Sequence, residues 1–283
     1  MAASFDPGTT SRLLNSITTN QSGLRTSLAQ IASGKRITTA SIDPAGLAIS
    51  EQLRSDIAAL SQTVRNVESG ANFVRVAEGG LANISELTGR ARELSLQAAN
   101  GTLGDAERAT INEEFQQVLS EIDRVTQTQE FNGQRILDGS LGSGSPTQID
   151  IQAGIGSGPE NQINLNVIED TSTAALGIAG LDISTAAGAL AAFDPLEQAQ
   201  QTVINTRGEV GAVSNRLEIT TNNTRNTIVN LEASRSEIAD TDIAAQVSEL
   251  QNTLLRVESS IRALGIQTRQ NESNVGRILN INT

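Results

Sequence analysis

Apolar residues recur along most of this chain at alternating steps of three and four positions. That spacing places them on one stripe of an α-helix and is typical of helices that pack through narrow knobs-into-holes seams. The apolar runs cover positions 14–31, 53–94, 111–125, 196–224 and 243–278. The pattern predicts a mainly α fold in which long helices pack side by side.

The prolines indicate where these helices begin, because proline disrupts a helix interior. They stand at 7, 44, 146, 159 and 195, which leaves two long stretches free of proline. We predict one helix over about 44–99, roughly 80 Å long at 1.5 Å per residue. Asp43 should be its N-cap, with Pro44 in the first turn.

The remaining helix boundaries follow from turn and capping residues. The tripeptide at 100–102, Asn-Gly-Thr, should end the first long helix, and Asp105 should cap a second helix that ends near 131–133. Helix should resume near Asp194 and continue almost to the end of the chain, with a break at about 240–242.

The segment 134–193 has a different pattern. Glycine and serine cluster in it, and apolar residues alternate with polar ones in two short runs. Such alternation predicts strands that pair as a β-hairpin. The alternating apolar residues are Ile149, Ile151, Ile163, Leu165 and Val167.

The two terminal arms carry complementary heptads, so we predict that they pair as an antiparallel coiled coil. Few local partners cover their apolar flanks, and exposed apolar stripes mark association surfaces. Alone the arms should fray, and they should order on assembly. The predicted assembly seam consists of Leu14, Ile17, Leu24, Leu28, Ile31, Leu250, Leu254, Val257, Ile261 and Leu264.

Pairing of the arms predicts a discontinuous domain organisation. Residues 1–43 with 243–283 should form a terminal-helix domain, and residues 44–242 a helical domain that includes the β region at about 134–193. The expected fold is therefore a long antiparallel helical rod with heptad-packed terminal helices and a small β-hairpin region at the far end.

Composition removes most classes of chemistry. The chain has no His, no Cys and a single Met. It therefore lacks Ser/His/Asp and Cys/His nucleophilic sites and imidazole or thiolate zinc sites. It also has no phosphate-binding glycine loop. We expect neither a cofactor nor an enzymatic activity.

Net charge and hydropathy narrow the choice of partners. A net charge of −12 disfavours nucleic acid. The chain contains no stretch of 18 consecutive apolar residues, so we predict no membrane span. The first ten residues show no basic segment followed by an apolar one, so we expect no cleavable secretory signal.

Asp240 and Asp242 allow two interpretations. They suggest either paired carboxylates for acid–base or metal chemistry, or a helix cap. Both precede Ile243 at a break between helical runs, where aspartate favours the N-cap and the positive end of the helix dipole. The capping interpretation is the favoured one.

Several segments of the chain carry recognisable sequence motifs. Residues 28–57 contain Ser-Gly-Lys-Arg-Ile and then Asp-Pro-Ala-Gly-Leu-Ala-Ile-Ser, which resemble the signature of the bacterial flagellin family. Residues 89–125 resemble its second block, and 208–223 and 234–250 its C-terminal block. The resemblance covers nearly all of the chain outside about 139–175.

The resemblance implies the structural subunit of a helical filament for motility, located outside the cell. It also implies type III export in place of a signal peptide, a flagellar export chaperone, and hook-associated junction and cap proteins as partners. This chain is a short form that lacks large outer domains. It departs from the family at Ser4-Phe5-Asp6-Pro7 and at Arg269, both within the arms.

In many flagellins the second block binds an innate immune receptor of the Toll-like class. The matching positions in this chain form an expected subunit-contact and receptor surface, and they are Arg90, Arg92, Glu93, Leu94, Gln97 and Glu114. Two alternatives to a filament subunit remain: a hook–filament junction protein of the same family, and a coiled-coil scaffold that forms no filament.

Overall fold

The computed structural model describes residues 7–279, and long helices dominate them, as the heptad pattern predicts. In chain order the helices are α1 (Pro7–Ser33), α2 (Pro44–Ala98), α3 (Asp105–Thr128), the short α4 (Ala186–Ala191), α5 (Phe193–Ala239) and α6 (Ile243–Leu279). Over this range no helix combines the length and hydropathy that a bilayer crossing requires. The unusual segment at 4–6 lies outside the described residues, as does the side chain of Ile278 in the last apolar run.

The ends of α2 are fixed by two different side chains. At its start the Asp43 carboxylate accepts a hydrogen bond of 2.8 Å from the Gly46 amide, which confirms Asp43 as the N-cap. At its end the buried Arg108 guanidinium donates to the carbonyls of Ala98 and Asn100, both at 3.0 Å. Arg108 therefore satisfies carbonyls that the helix leaves without partners.

The predicted cap of α3 is wrong. Gly104 is the N-cap residue, without a side-chain hydrogen bond, and Asp105 is the first residue of the helix. Asp105 and Glu107 lie in the first turn, where a carboxylate interacts favourably with the positive end of the helix dipole. The carboxylate at the start of α3 therefore acts through charge rather than through a capping bond.

The β region contains the predicted hairpin and one that the sequence analysis missed. As predicted, strands β3 (Asp150–Gln152) and β4 (Gln162–Asn164) form an antiparallel hairpin. Ile151 lies opposite Ile163 in it. A shorter hairpin joins β1 (Glu130–Phe131) and β2 (Gln134–Arg135). Its loop, Asn132-Gly133, has φ values of 52° and 77°. The Asn-Gly dipeptide is the usual signal for such a two-residue loop.

The chain divides into two compact units. Unit 1 comprises residues 1–55 and 230–283, and unit 2 comprises residues 56–229. The boundaries of the structural units fall inside α2 and α5, whereas the predicted domains divided at 43/44 and 242/243. The prediction that the two ends of the chain pair in one discontinuous domain is the basis of the assembly proposed for the arms.

Unit 2 has a continuous apolar core. The heptad run predicted at 196–224 is buried at Leu196, Ala199, Val203, Val210 and Leu217. This face of α5 belongs to the same core as residues of α2, α3 and the β region, among them Leu81, Ile84, Leu94, Phe115, Ile122, Ile136, Ile163 and Leu165. Aliphatic side chains in a heptad pattern therefore build a core that contains few aromatic rings.

Candidate subunit-contact surfaces

Helices α1 and α6 pair antiparallel in unit 1, as predicted for the terminal arms. At one end the Arg36 amide donates to the Ala239 carbonyl at 2.7 Å, and the Thr241 amide donates to the Gly34 carbonyl at 3.0 Å. At the other end the Gln267 amide group lies 3.5 Å from the Thr9 hydroxyl. These contacts show that the start of α6 lies beside the end of α1, so the two helices run in opposite directions.

The seam between α1 and α6 is only half apolar. Six of the ten predicted seam residues are partly buried, namely Ile17, Leu24, Ile31, Leu250, Val257 and Leu264. Between them the seam positions hold small or polar residues, which are Asn20, Ser27, Thr253, Ser260 and Gln267. Ser27 and Thr253 are each only 6% exposed.

The other four predicted seam residues lie outside this seam. Leu14, Leu28, Leu254 and Ile261 are between 47% and 52% exposed, so they do not pack between α1 and α6, and their part in the assembly seam remains a prediction. The heptad frame on α1 begins at Leu13 rather than Leu14, and it therefore buries Asn20 and Ser27. On α6 the frame passes through Thr253 and Ser260 rather than the neighbouring apolar residues.

This register leaves large apolar side chains on the outside of the paired arms. We call them the arm stripe, and it consists of Leu14, Leu28, Leu254, Leu255, Ile261, Ile266 and Val275. Leu254 and Ile261 are one heptad apart and flank the seam, whereas Leu255 and Ile266 lie on another face of α6. The arms therefore present apolar surface in more than one direction.

A second surface lies on α2 and α3 in unit 2. The Arg90 guanidinium donates from Nε to Glu114 Oε1 at 3.0 Å and from Nη1 to Glu93 Oε2 at 3.2 Å. The hydrogen bonds to Glu114 and then to Glu93 raise the pKa of Arg90 above its ordinary value. The structure thus brings together Arg90, Glu93 and Glu114, three of the six residues predicted for this surface.

The other three predicted residues have different environments. Arg92 approaches Glu197 at 4.0 Å, and Gln97 is exposed. Leu94 is 1% exposed and lies in the core of unit 2, so its placement on the surface is wrong. Leu94 occupies a heptad position that faces the core of unit 2.

Sequence reasoning missed an apolar residue beside this charged face. Leu96 is 57% exposed on α2, three residues after Glu93 and so its neighbour on the helix surface. An apolar residue that falls outside the heptad positions of its helix was the signal that would have identified it. The second surface therefore combines ion pairs with one large exposed apolar side chain.

The aspartate pair before α6 does not form a joint acidic site. Asp242 Oδ1 accepts hydrogen bonds from the Ala244 and Ala245 amides at 2.9 and 3.2 Å, which confirms it as the cap. Asp240 instead accepts from the Ser236 hydroxyl at 2.7 Å. Within residues 7–279 no three acidic side chains gather closely enough to hold a metal ion.

Two family models match most of the chain. The bacterial flagellin N-terminal helical region matches residues 8–141, and the bacterial flagellin C-terminal helical region matches residues 193–277. These ranges contain both arms and both candidate surfaces. The unmatched segment, 142–192, holds the β3–β4 hairpin and α4.

Curated relatives match over almost their whole length. A flagellin of Halalkalibacterium halodurans is 34% identical over 89% of this chain and 90% of its own. A flagellin of Bacillus subtilis is 33% identical over 94% of this chain and 96% of its own. Each alignment therefore covers about nine-tenths or more of both chains.

A solved structure shares the fold. A protein of Vibrio parahaemolyticus, described as flagellar hook-associated, superposes with a TM-score of 0.57 at 16% identity and covers 70% of this chain and all of its own. Together with the family models and the curated relatives, the paired arms and the helical core of unit 2 lead to one conclusion. The chain belongs to the bacterial flagellins, the structural subunits of the extracellular filament that bacteria use for motility.

Proposed function

We propose that this chain polymerises into the filament by covering its arm stripe with other copies of itself. The observation that carries the proposal is the register of the α1–α6 seam. It buries small polar residues and leaves Leu254 and Ile261 about half exposed. Contact with a neighbouring subunit would remove that apolar surface from water, at about 25 cal/mol per Å².

The contacts should be heterologous, so that one surface meets a different surface on the next subunit. Such contacts do not close on themselves and therefore propagate as a helical polymer. The paired arms present two unlike surfaces, an apolar stripe and a polar groove, which supports this arrangement. Helix α6 carries most of the arm stripe, whereas the groove between α1 and α6 is lined by small hydroxyl residues that include Thr18, Ser22 and Thr26.

The arms should pair weakly in the free subunit and more stably when the polymer covers them. A seam that buries a polar residue at every second position gains less from pairing than a fully apolar one. Ordering two helices of 27 and 37 residues also costs conformational entropy. Burial of the arm stripe on assembly would offset this cost.

The remaining partners follow from the family and from the same exposed surface. An export chaperone would shield the arm stripe before assembly, and the junction and cap proteins would bind at the ends of the polymer. The face around Arg90 and Glu114 would contact the next subunit, and in a host it would bind a Toll-like receptor. The proposal gives the chain no catalytic step.

The test replaces apolar residues by asparagine and measures elongation on filament fragments. Ile261→Asn removes an arm-stripe residue that is 52% exposed, and Ile155→Asn is its control, a residue of the same type that is 57% exposed in the β3–β4 loop. We expect Ile261→Asn to slow elongation about tenfold, the equivalent of about 1.4 kcal/mol per added subunit. The control should elongate like the wild type.

Three results would contradict the proposal in different ways. Equal elongation of both variants would remove the arm stripe from the interface. A wild-type protein that never elongates on seeds, and remains in small oligomers, would favour a coiled-coil scaffold over a filament subunit. Elongation only on hook fragments, ending after a short collar, would favour a hook–filament junction protein.

A further inference from the structure

The turn after α2 contains one of the two Asn-Gly dipeptides of the chain, Asn100-Gly101, and the β1–β2 loop contains the other. Asn-Gly is chemically labile, because glycine has no Cβ to shield its backbone nitrogen. That nitrogen attacks the carbon of the asparagine side-chain amide, ammonia leaves, and a five-membered succinimide forms. Water then opens the ring to aspartate or isoaspartate.

The structure holds the reacting groups of Asn100 in a favourable state. Its side chain is exposed, and its Oδ1 accepts a hydrogen bond of 3.1 Å from the Thr102 amide. That donor points at the oxygen on which negative charge develops when the amide carbon is attacked. Across residues 7–279 the Gly101 amide donates no hydrogen bond, so the attacking nitrogen is unengaged.

Neighbouring contacts fix the turn around this group. The Asn100 carbonyl accepts hydrogen bonds from the Leu103 amide at 3.2 Å and from the Arg108 guanidinium at 3.0 Å. These bonds hold the backbone on the C-terminal side of Asn100 while its side chain remains open to water. The Asn100 side chain and the Gly101 nitrogen therefore lie in one ordered, solvent-accessible turn.

Asn132 is the internal comparison, because it is also exposed and also precedes glycine. Its φ is 52° and that of Gly133 is 77°, which fixes both residues in the tight loop of a hairpin. In the described part of the chain no hydrogen bond reaches the Asn132 side-chain oxygen. The same dipeptide thus occurs once with a donor on its amide oxygen and once without.

We propose that Asn100 is a site of spontaneous covalent modification, at which the Gly101 nitrogen displaces ammonia through a succinimide assisted by the Thr102 amide. The product is a mixture of aspartate and isoaspartate at position 100. Each places a new carboxylate beside Arg108 and three residues from Gln97. In isoaspartate the main chain runs through Cβ and Cγ and is one carbon longer, and the former main-chain carbonyl that accepts from Arg108 becomes the free carboxylate.

The test follows both dipeptides in the full-length protein during incubation at mildly alkaline pH. Peptides are prepared at acidic pH, deamidation is measured by mass spectrometry, and isoaspartate is labelled with an isoaspartyl methyltransferase. We expect deamidation at Asn100 to be about tenfold faster than at Asn132. This rate difference is smaller than the effect of one hydrogen-bond donor in a water-excluded active site. Equal rates, a faster Asn132, or two intact sites would overturn the proposal.

Two controls separate geometry from sequence. Gly101→Ala adds a Cβ that meets nothing within 4 Å, so the fold should persist while the rate at Asn100 falls about tenfold. In urea both sites should react at similar rates, because each is then a free Asn-Gly dipeptide. A difference that survives unfolding would show that the turn does not activate Asn100, and an unchanged rate in Gly101→Ala would show that the Gly101 nitrogen is not the attacking group.

Discussion

At the scale of single residues, Asp242 has a role that can be measured separately from that of its neighbour. Its carboxylate caps α6 through the amides of Ala244 and Ala245, whereas the Asp240 carboxylate accepts a hydrogen bond from the exposed Ser236 hydroxyl. Asp242→Ala should cost about 1 kcal/mol of helix stability, and Asp240→Ala close to none. Amide hydrogen exchange in the first turn of α6 measures the difference, and similar exchange in both variants would contradict it.

Arg90 gives the second prediction at this scale. Its ion pairs with Glu93 and Glu114 are exposed, and such pairs contribute little to folding. We therefore expect Arg90→Ala to keep its thermal midpoint while it elongates more slowly and activates the Toll-like receptor less.

A matched control is available on α3. Arg124→Ala breaks a similarly exposed pair with Glu121, which includes none of the six residues proposed for the contact surface. It should elongate like the wild type. Normal filaments from Arg90→Ala, with receptor activation alone reduced, would separate the receptor surface from the subunit interface.

At the scale of elements, the polar half of the α1–α6 seam sets how strongly the arms pair. Thr253 is buried in that seam, and its hydroxyl is costly to remove from water. Thr253→Val keeps the shape of the side chain and should stabilise pairing by about 1 kcal/mol.

Hydrogen exchange of the unassembled protein tests this. Amides of α1 and α6 should exchange about fivefold more slowly in Thr253→Val, whereas Thr268→Val, on the exposed face of α6, should leave them unchanged. Identical protection in the two variants would mean that the polar seam positions do not limit pairing.

Helix positions were predictable from the sequence because they depend on local rules. Proline placement, Asp43 and Asp242 as caps, and the heptad run from Leu196 to Leu217 all follow from one segment at a time. The cap of α3 was mistaken, because Gly104 and Asp105 are both acceptable helix starts and only the final geometry chooses between them.

The register of the arms was not predictable in the same way. Adjacent Leu13 and Leu14 offer two heptad frames, and the more apolar frame is the obvious choice from one helix. The chain uses the frame that places Ser27 in the seam, which is favourable only because α6 supplies small residues such as Thr253. Register is a property of the pair, and so the exposed members of the arm stripe became visible only in the structure.

At the scale of the whole molecule, the two units should have separable roles. Unit 2 has its own apolar core within residues 56–229. We expect deletion of 1–35 or of 250–283 to abolish elongation on seeds and to leave the unfolding transition of unit 2 in place. Circular dichroism and seeded growth measure the two outcomes, and a truncated chain that elongates normally would refute the role of the arms.

In the proposed polymer, the arm stripe would also determine which chains can assemble together. Residues in the seam would need to match only their own chain, whereas Leu254, Ile261 and the rest of the stripe would have to match whichever subunit comes next. We expect a related chain that keeps the stripe and replaces the segment 142–192 to enter the same filament. A chain that changes the stripe should form a separate filament, so these few apolar side chains would decide which coexpressed subunits are compatible.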